Sequence, residues 1–185
     1  MLIAFHKPYG VLSQFTKENI EHHTLAEFDF PKNVYPIGRL DLDSEGLLLL
    51  SDEKELNNKL LNPQQTHERT YHVQVEGIAT EEAMRKLRTG VSIQDYRTRP
   101  CQAKLLNEPH YPPRSVPIRF RLSIPTSWIE IRLIEGKNRQ VRRMTAVVKL
   151  PTLRLIRVAM GKLTLGDLPS GQWYELSPEQ RKILF

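Results

Sequence analysis

Gly38-Arg39-Leu40-Asp41-Leu42-Asp43-Ser44-Glu45-Gly46-Leu47-Leu48 is the densest stretch of the chain. It sets three carboxylates at alternate positions between two glycines, then runs into leucines. Residues 34–37 and 46–51 on either side read as extended, so the acids fall on a loop between strands, where sheets usually present functional groups. Three uses fit such a loop. Asp41, Asp43 and Glu45 are hard oxygen donors of the kind that hold a divalent cation. Two of them could act as an acid–base or nucleophile pair on a glycosidic bond. Or the loop is merely polar.

The elements around this loop read as follows. Residues 2–5 form a strand, Lys7-Pro8-Tyr9-Gly10 a turn, and residues 11–14 a returning strand; proline fixes one dihedral of the turn and glycine is free to take a positive one. Residues 23–28 read as a short helix, and residues 53–61 have helical spacing that stops at Asn62-Pro63. Tyr71, Val73 and Val75 alternate with His72, Gln74 and Glu76, the period of a half-buried strand. Thr80 caps a helix with acids in its first turn, and Gly90 closes it. The proline-rich residues 108–117 form a loop. Residues 128–133 alternate as a strand, 140–148 form a helix, and 153–158 and 174–176 are short strands. Strands and helices mix without strict alternation, which predicts an α+β fold around a mixed, mostly antiparallel sheet.

Composition narrows the classes. The 185 residues, 39% hydrophobic and 26% charged, suffice for one domain with a real core. No apolar run approaches the roughly 20 residues of a membrane helix, and the N-terminus has no basic leader, which predicts a cytoplasmic protein. A single cysteine, Cys101, excludes a disulfide framework and a cysteine-only zinc site; it reads as a small core residue. The net charge of +6 suits a polyanionic partner. Between Arg132 and Arg157 eight basic residues face one acid, Glu135.

Within that basic run lies Glu135-Gly136-Lys137-Asn138-Arg139-Gln140-Val141-Arg142-Arg143-Met144. Arg139, Arg142 and Arg143 have the spacing of one helix face. Cations at a helix start oppose the macrodipole, so an incoming phosphate or a carboxylate is expected there. Met144 and Val148 read as core. In Arg69-Thr70-Tyr71-His72-Val73, the Tyr71 ring serves either the core or a stacked base.

These segments, in this order, resemble the bacterial pseudouridine synthases of the RsuA type. Phe5-His6-Lys7-Pro8-Tyr9-Gly10-Val11-Leu12-Ser13-Gln14 is similar to the family's opening strand, turn and strand. Gly38-Arg39-Leu40-Asp41 with Asp43-Ser44-Glu45-Gly46-Leu47-Leu48 is similar to its catalytic motif. The Tyr71 segment, the arginine segment and Pro151-Thr152-Leu153-Arg154-Leu155-Ile156-Arg157 follow in the family's sequence of motifs. The resemblance runs over nearly the whole chain.

The resemblance implies the pseudouridine synthase catalytic fold: a central sheet flanked by helices, two sub-lobes with a cleft, and one catalytic domain over residues 1–185. The small S4-type RNA-binding module of many members is not expected, since the catalytic part opens at residue 2. The implied reaction isomerises one uridine of 23S ribosomal RNA near the peptidyltransferase region, by a monomer, with no cofactor and no metal. Asp41 is then the carboxylate that acts on the ribose, either attacking C1′ or stabilising the separated sugar while a proton leaves C2′. Arg142 holds Asp41 charged, since an ionised carboxylate in a closed pocket needs a partner. Tyr71 stacks on the base and can serve as general base. Val141 forms an apolar wall beneath the ring. Arg39 fills the gap left when the uridine leaves its stack. Lys137, Arg139, Arg143 and Lys7 contact phosphates, which position an RNA without specifying its sequence.

Two rivals remain at this level. One is a metal-dependent nuclease using Asp41, Asp43 and Glu45, although no histidine with ligand spacing lies nearby; the adjacent His22 and His23 are a poor pair for one ion. The other is a non-catalytic RNA-binding or ribosome-assembly protein.

Overall fold

The computed structural model describes residues 1–62 and 67–184. In chain order the elements are β1 (Leu2–Lys7), β2 (Val11–Leu12), β3 (His23–Thr24), β4 (Tyr35–Ile37), β5 (Glu45–Ser51), α1 (Lys54–Leu61), β6 (Arg69–Glu76), α2 (Glu81–Thr89), β7 (Ser92–Ile93), β8 (Tyr96–Arg97), β9 (Gln102–Leu106), β10 (Thr126–Leu133), α3 (Gln140–Val147), β11 (Thr152–Met160), β12 (Leu163–Thr164), β13 (Trp173–Glu175) and α4 (Pro178–Leu184). The mixed α+β architecture expected from the sequence is the one observed. Two compact units share the chain: the first holds its two ends up to His67 and from Arg157, the second Glu68–Ile156. No helix among the described residues is long and apolar enough to cross a membrane.

The first unit is built on β1 and β5. Every residue of β5 is buried, as are five of the six in β1. A strand covered on both faces reads as a continuous apolar run, and Leu47–Leu50 is one. The two strands pair antiparallel from Leu2 opposite Ser51 to Lys7 opposite Gly46. β13 adds to the free edge of β1, and β4 pairs with β5. Edge-on aromatic contacts pack residues 28–30 against β1: Phe5 lies 4.9 Å from Phe28 and 5.0 Å from Phe30, centroid to centroid. At the far end, Arg181 of α4 grips both carboxylate oxygens of Glu53, at 2.7 and 2.8 Å.

Residues 23–28 depart from the expected helix. β3 pairs in parallel with β2, and only residues 25–27 make a single 3-10 turn. Leu25 N–H donates to Gln14 at 3.0 Å, and the Thr24 hydroxyl to Phe15 at 3.3 Å. Tertiary pairing of this kind overrides a weak local preference for helix. The helix stop expected at Asn62-Pro63 falls at Asn62; Pro63 lies outside the described residues.

The second unit is a sheet of β6, β10 and β9 backed by α2 and α3. β6 and β10 pair antiparallel over eight positions, from Arg69 opposite Leu133 to Glu76 opposite Thr126. Val73, Val75, Ile129 and Ile131 project into a core completed by Met84, Leu87, Met144 and Leu155. Thr80 caps α2 as expected, its hydroxyl accepting from the Ala83 N–H at 3.2 Å. Residues 107–125 form no helix or strand, in line with the proline-rich loop expected there. Three side chains of this loop tie it down. The Tyr111 hydroxyl meets His72 at 2.5 Å, and Arg119 and Arg121 bond the two oxygens of Glu76 at 3.0 and 3.2 Å. Between and beside these arginines, which stay about half exposed, Phe120 and Leu122 are 72% and 95% exposed.

Gly46 marks the tightest backbone approach of the first unit. Its φ is +106°, and a Cβ placed there would stand 2.3 Å from the Arg157 carbonyl oxygen and 2.7 Å from its nitrogen. Gly46→Ala combines an unfavourable dihedral with a clash against backbone that cannot yield, so it should destabilise the fold by roughly 3 kcal/mol or more. Urea unfolding checks this, with a midpoint near the wild type as the contrary result.

Candidate active site

The Asp41 loop is held from beneath by the turn between β1 and β2. Gly10, at φ +81°, donates its N–H to the Leu42 carbonyl at 2.8 Å. The Ser13 hydroxyl donates to the Leu40 carbonyl at 2.8 Å and accepts from the Leu40 N–H at 3.1 Å. Ser44 N–H closes the loop onto the Asp41 carbonyl at 3.0 Å. Leu40 and Ser44 are buried, whereas Arg39 and Leu42 are exposed and Asp41 and Asp43 half-buried. Asp41, half-buried, is thus carried on a backbone anchored on both sides of it. Arg39, whose side chain was expected to reach into a vacated stack, stands outside on the same loop. Among the described residues no three His, Cys, Asp or Glu side chains converge to hold an ion.

Lys7 is not where the sequence reading puts it. Expected as a phosphate contact, it has no exposed surface. Its Nζ donates to the Pro8 carbonyl at 2.8 Å and to the Val11 carbonyl at 2.6 Å, closing the turn from inside. Burial pushes the ammonium down from 10.5 to about 7, although Glu45, Asp43 and Asp41 pull it back up and Arg157 adds to the depression. A neutral amine carries two N–H bonds, and two carbonyls receive them. Glu45, one of the three candidate acids, is itself buried at the start of β5.

The second unit carries the other residues. Tyr71, the third residue of β6 and opposite Ile131, packs partly buried against the hydrophobic core. Val141 is 5% exposed and belongs to the same core, beside Met144. Arg139 departs from the expected shared helix face. It takes a left-handed backbone (φ 50°, ψ 32°) as the N-terminal cap, and α3 starts at Gln140. Arg142 and Arg143 alone lie within the helix. The Arg143 guanidinium bonds Gln94 at 2.7 Å and Asn138 at 2.9 Å. Lys137 is exposed, with its Nζ 4.8 Å above the Tyr96 ring.

Glu135, read from sequence only as the lone acid of a basic run, organises this motif. It accepts from the Tyr96 hydroxyl, from the Arg99 N–H at 2.9 Å and from the Gln140 amide at 2.5 Å. Gln140 in turn accepts from the Lys137 N–H at 2.9 Å. A carboxylate–amide pair, half-buried at Glu135 and buried at Gln140, therefore shapes the cationic turn before α3. Gly10 was read only as a turn glycine and Ser13 only as part of the opening segment, so their hold on the Asp41 loop was missed. Their signal in the sequence is a glycine in the turn and a small polar residue just after the returning strand.

The Lys7 environment has a pH signature. The folded ammonium loses its proton near pH 7 and the unfolded one near 10.5, so between these values the unfolded chain binds the extra proton. Stability then rises with pH through that window, and the penalty is full below it. Urea midpoints for wild type and Lys7→Met, from about pH 7 to about pH 10, should show the wild type gaining on the variant by up to about 1.4 kcal/mol per pH unit. Parallel curves would contradict the buried, depressed lysine.

Comparison with known proteins agrees with this arrangement of motifs. The family model described as RNA pseudouridylate synthase matches residues 1–147. The chain is 49% identical over 176 residues to ribosomal large subunit pseudouridine synthase E of Vibrio vulnificus, covering 95% of this chain and 75% of that one. It is 50% identical over 170 residues to the protein of that name from Xanthomonas axonopodis pv. citri, covering 91% and 90%. A crystal structure of a pseudouridylate synthase superposes with a TM-score of 0.82 at 23% identity, over all of this chain and 73% of that one, so the fold is shared. With its opening turn, its Asp41 loop and its arginine turn all inside the matched residues, the chain belongs to the RNA pseudouridylate synthase family.

Proposed function

We propose that this protein isomerises a uridine of large-subunit (23S) ribosomal RNA to pseudouridine, working as a monomer in the cytoplasm, with Asp41 as the catalytic carboxylate. The observation that carries the reading is half identity to ribosomal large subunit pseudouridine synthase E over about nine-tenths of both chains. The anchored loop adds to it, because a carboxylate that must meet one ribose atom gains from a fixed backbone.

The reaction breaks the N1–C1′ bond, turns the uracil and joins C5 to C1′. The hydrogen on C5 leaves as a proton and N1 gains one, so no redox partner is required. In this reading Asp41 acts at the ribose, and Arg142 supplies the cation that keeps a desolvated carboxylate ionised. Tyr71 stacks on the uracil and can take the proton from C5. Val141 backs the ring from the core. Arg39 occupies the place of the flipped nucleotide, and Lys137, Arg139 and Arg143 position the backbone.

Because C5 gives up its hydrogen, tritium released from RNA labelled at C5 of uridine measures turnover. Asp41→Asn keeps the shape of the side chain and removes its charge. It should lower turnover on the order of a thousandfold or more while RNA binding stays unchanged. Turnover near the wild-type rate would remove Asp41 from the chemistry. Wild-type activity should also survive EDTA; its loss would favour the metal-dependent reading of the same acids.

A further inference from the structure

We propose that Ser13 is a positioning residue for Asp41: its hydroxyl sets the peptide planes from which the carboxylate is presented. This rests on Asp41 being the catalytic carboxylate. The peptide groups around Asp41 are fixed one after another. The Leu40 N–H and the Leu40 carbonyl are both bonded to the Ser13 hydroxyl, at 3.1 and 2.8 Å. The Asp41 carbonyl accepts from Ser44 N–H at 3.0 Å, and the Leu42 carbonyl from Gly10 N–H at 2.8 Å. The peptide groups from Arg39–Leu40 through Leu42–Asp43 are therefore each held. Backbone groups hold the two on the C-terminal side. The two on the N-terminal side are both bonded to one side chain, that of Ser13.

A hydroxyl can donate once and accept, and Ser13 uses both capacities on the same residue. Ser13 is 4% exposed and Leu40 is 6% exposed, so water is poorly placed to replace the hydroxyl. Without it, both polar groups of Leu40 lose their partner in a buried place, and the Leu40 dihedrals are free to relax. The Leu40 carbonyl belongs to the peptide bond that enters Asp41, so relaxation there swings the Asp41 Cα and carries the carboxylate with it. Misplacement by a fraction of an ångström to an ångström is enough to slow a reaction that depends on attack geometry. A buried serine that merely satisfied the core would leave the geometry of an exposed loop unchanged. The pair of hydrogen bonds to the residue before Asp41 is what separates the two roles.

The test compares wild type with Ser13→Ala, Ser13→Thr and Asp41→Asn, using single-turnover tritium release from a large-subunit ribosomal RNA transcript and RNA binding by filter retention. The Leu40 amide exchange rate is followed by NMR. The expected result for Ser13→Ala is a rate about tenfold lower at saturating enzyme, with unchanged RNA affinity and faster exchange of the Leu40 amide. Ser13→Thr, which restores the hydroxyl, should recover most of the rate. Should Ser13→Ala fail to fold, Ser13→Cys replaces it, with nearly the same shape and a poor hydrogen-bonding group, and the same loss of rate is expected. A Ser13→Ala or Ser13→Cys rate within about twofold of wild type overturns the proposal, as does a loss of rate accounted for by weaker RNA binding. So does a folded Ser13→Thr that stays slow. If Asp41→Asn remains active, the catalytic reading of Asp41 fails first; if it is inactive while Ser13→Ala is normal, only the role of Ser13 is refuted.

Discussion

Lys7 is withdrawn entirely from water, a costly position for an amino group, and the turn after β1 closes around it. Lys7 ends β1 directly opposite Gly46, where no side chain competes for the space. Two carbonyls of its own turn take its hydrogens, which fixes residues 8–11 in one conformation. That turn then lends Gly10 to the loop bearing Asp41. The carboxylates near Lys7 offset part of its burial, and so the acids at 41, 43 and 45 divide their work. Glu45 stays inside with the lysine, and Asp41 and Asp43 reach the surface.

The long, periodic parts of the fold could be read from the sequence. β6 and β10 alternate in sequence with Val73, Val75, Ile129 and Ile131 in the core, although Gln74, Glu76, Trp128 and Glu130 between them are buried as well, and α2 carries its cap at Thr80 and its stop at Gly90. Short elements whose existence depends on a distant partner escaped. β3 is two residues long and owes its extended form to β2. β9 pairs with β10 over five residues, yet Leu105 points outward, which masks the alternation. α4 carries few buried side chains and is tied to Glu53 by a single arginine.

The candidate site was legible as a set of motifs but not as a geometry. Spacing singled out the Asp41 loop and the arginine turn, since dense charge is visible in any sequence. Whether a given charge faces solvent is decided by tertiary contacts. Lys7 and Arg143 have the same sign and both looked like phosphate contacts; one is sealed against carbonyls and the other bonds Gln94 and Asn138. Arg139 likewise looked as if it shared the helix face, whereas its left-handed backbone makes it the cap of a helix that starts, as expected, at Gln140.

The irregular stretch at 107–125 spans what would be a costly excursion for a free chain, because the entropy of closing a loop grows with its length. Tyr111 and the pair Arg119 and Arg121 divide it into short arcs, each returned to the strand β6 that also carries Tyr71. Its disorder is thus spent in instalments, each closed by a polar contact to His72 or Glu76, both on β6. The same two anchors couple loop and strand. A rearrangement of β6 at His72 or Glu76 would therefore be felt in the loop.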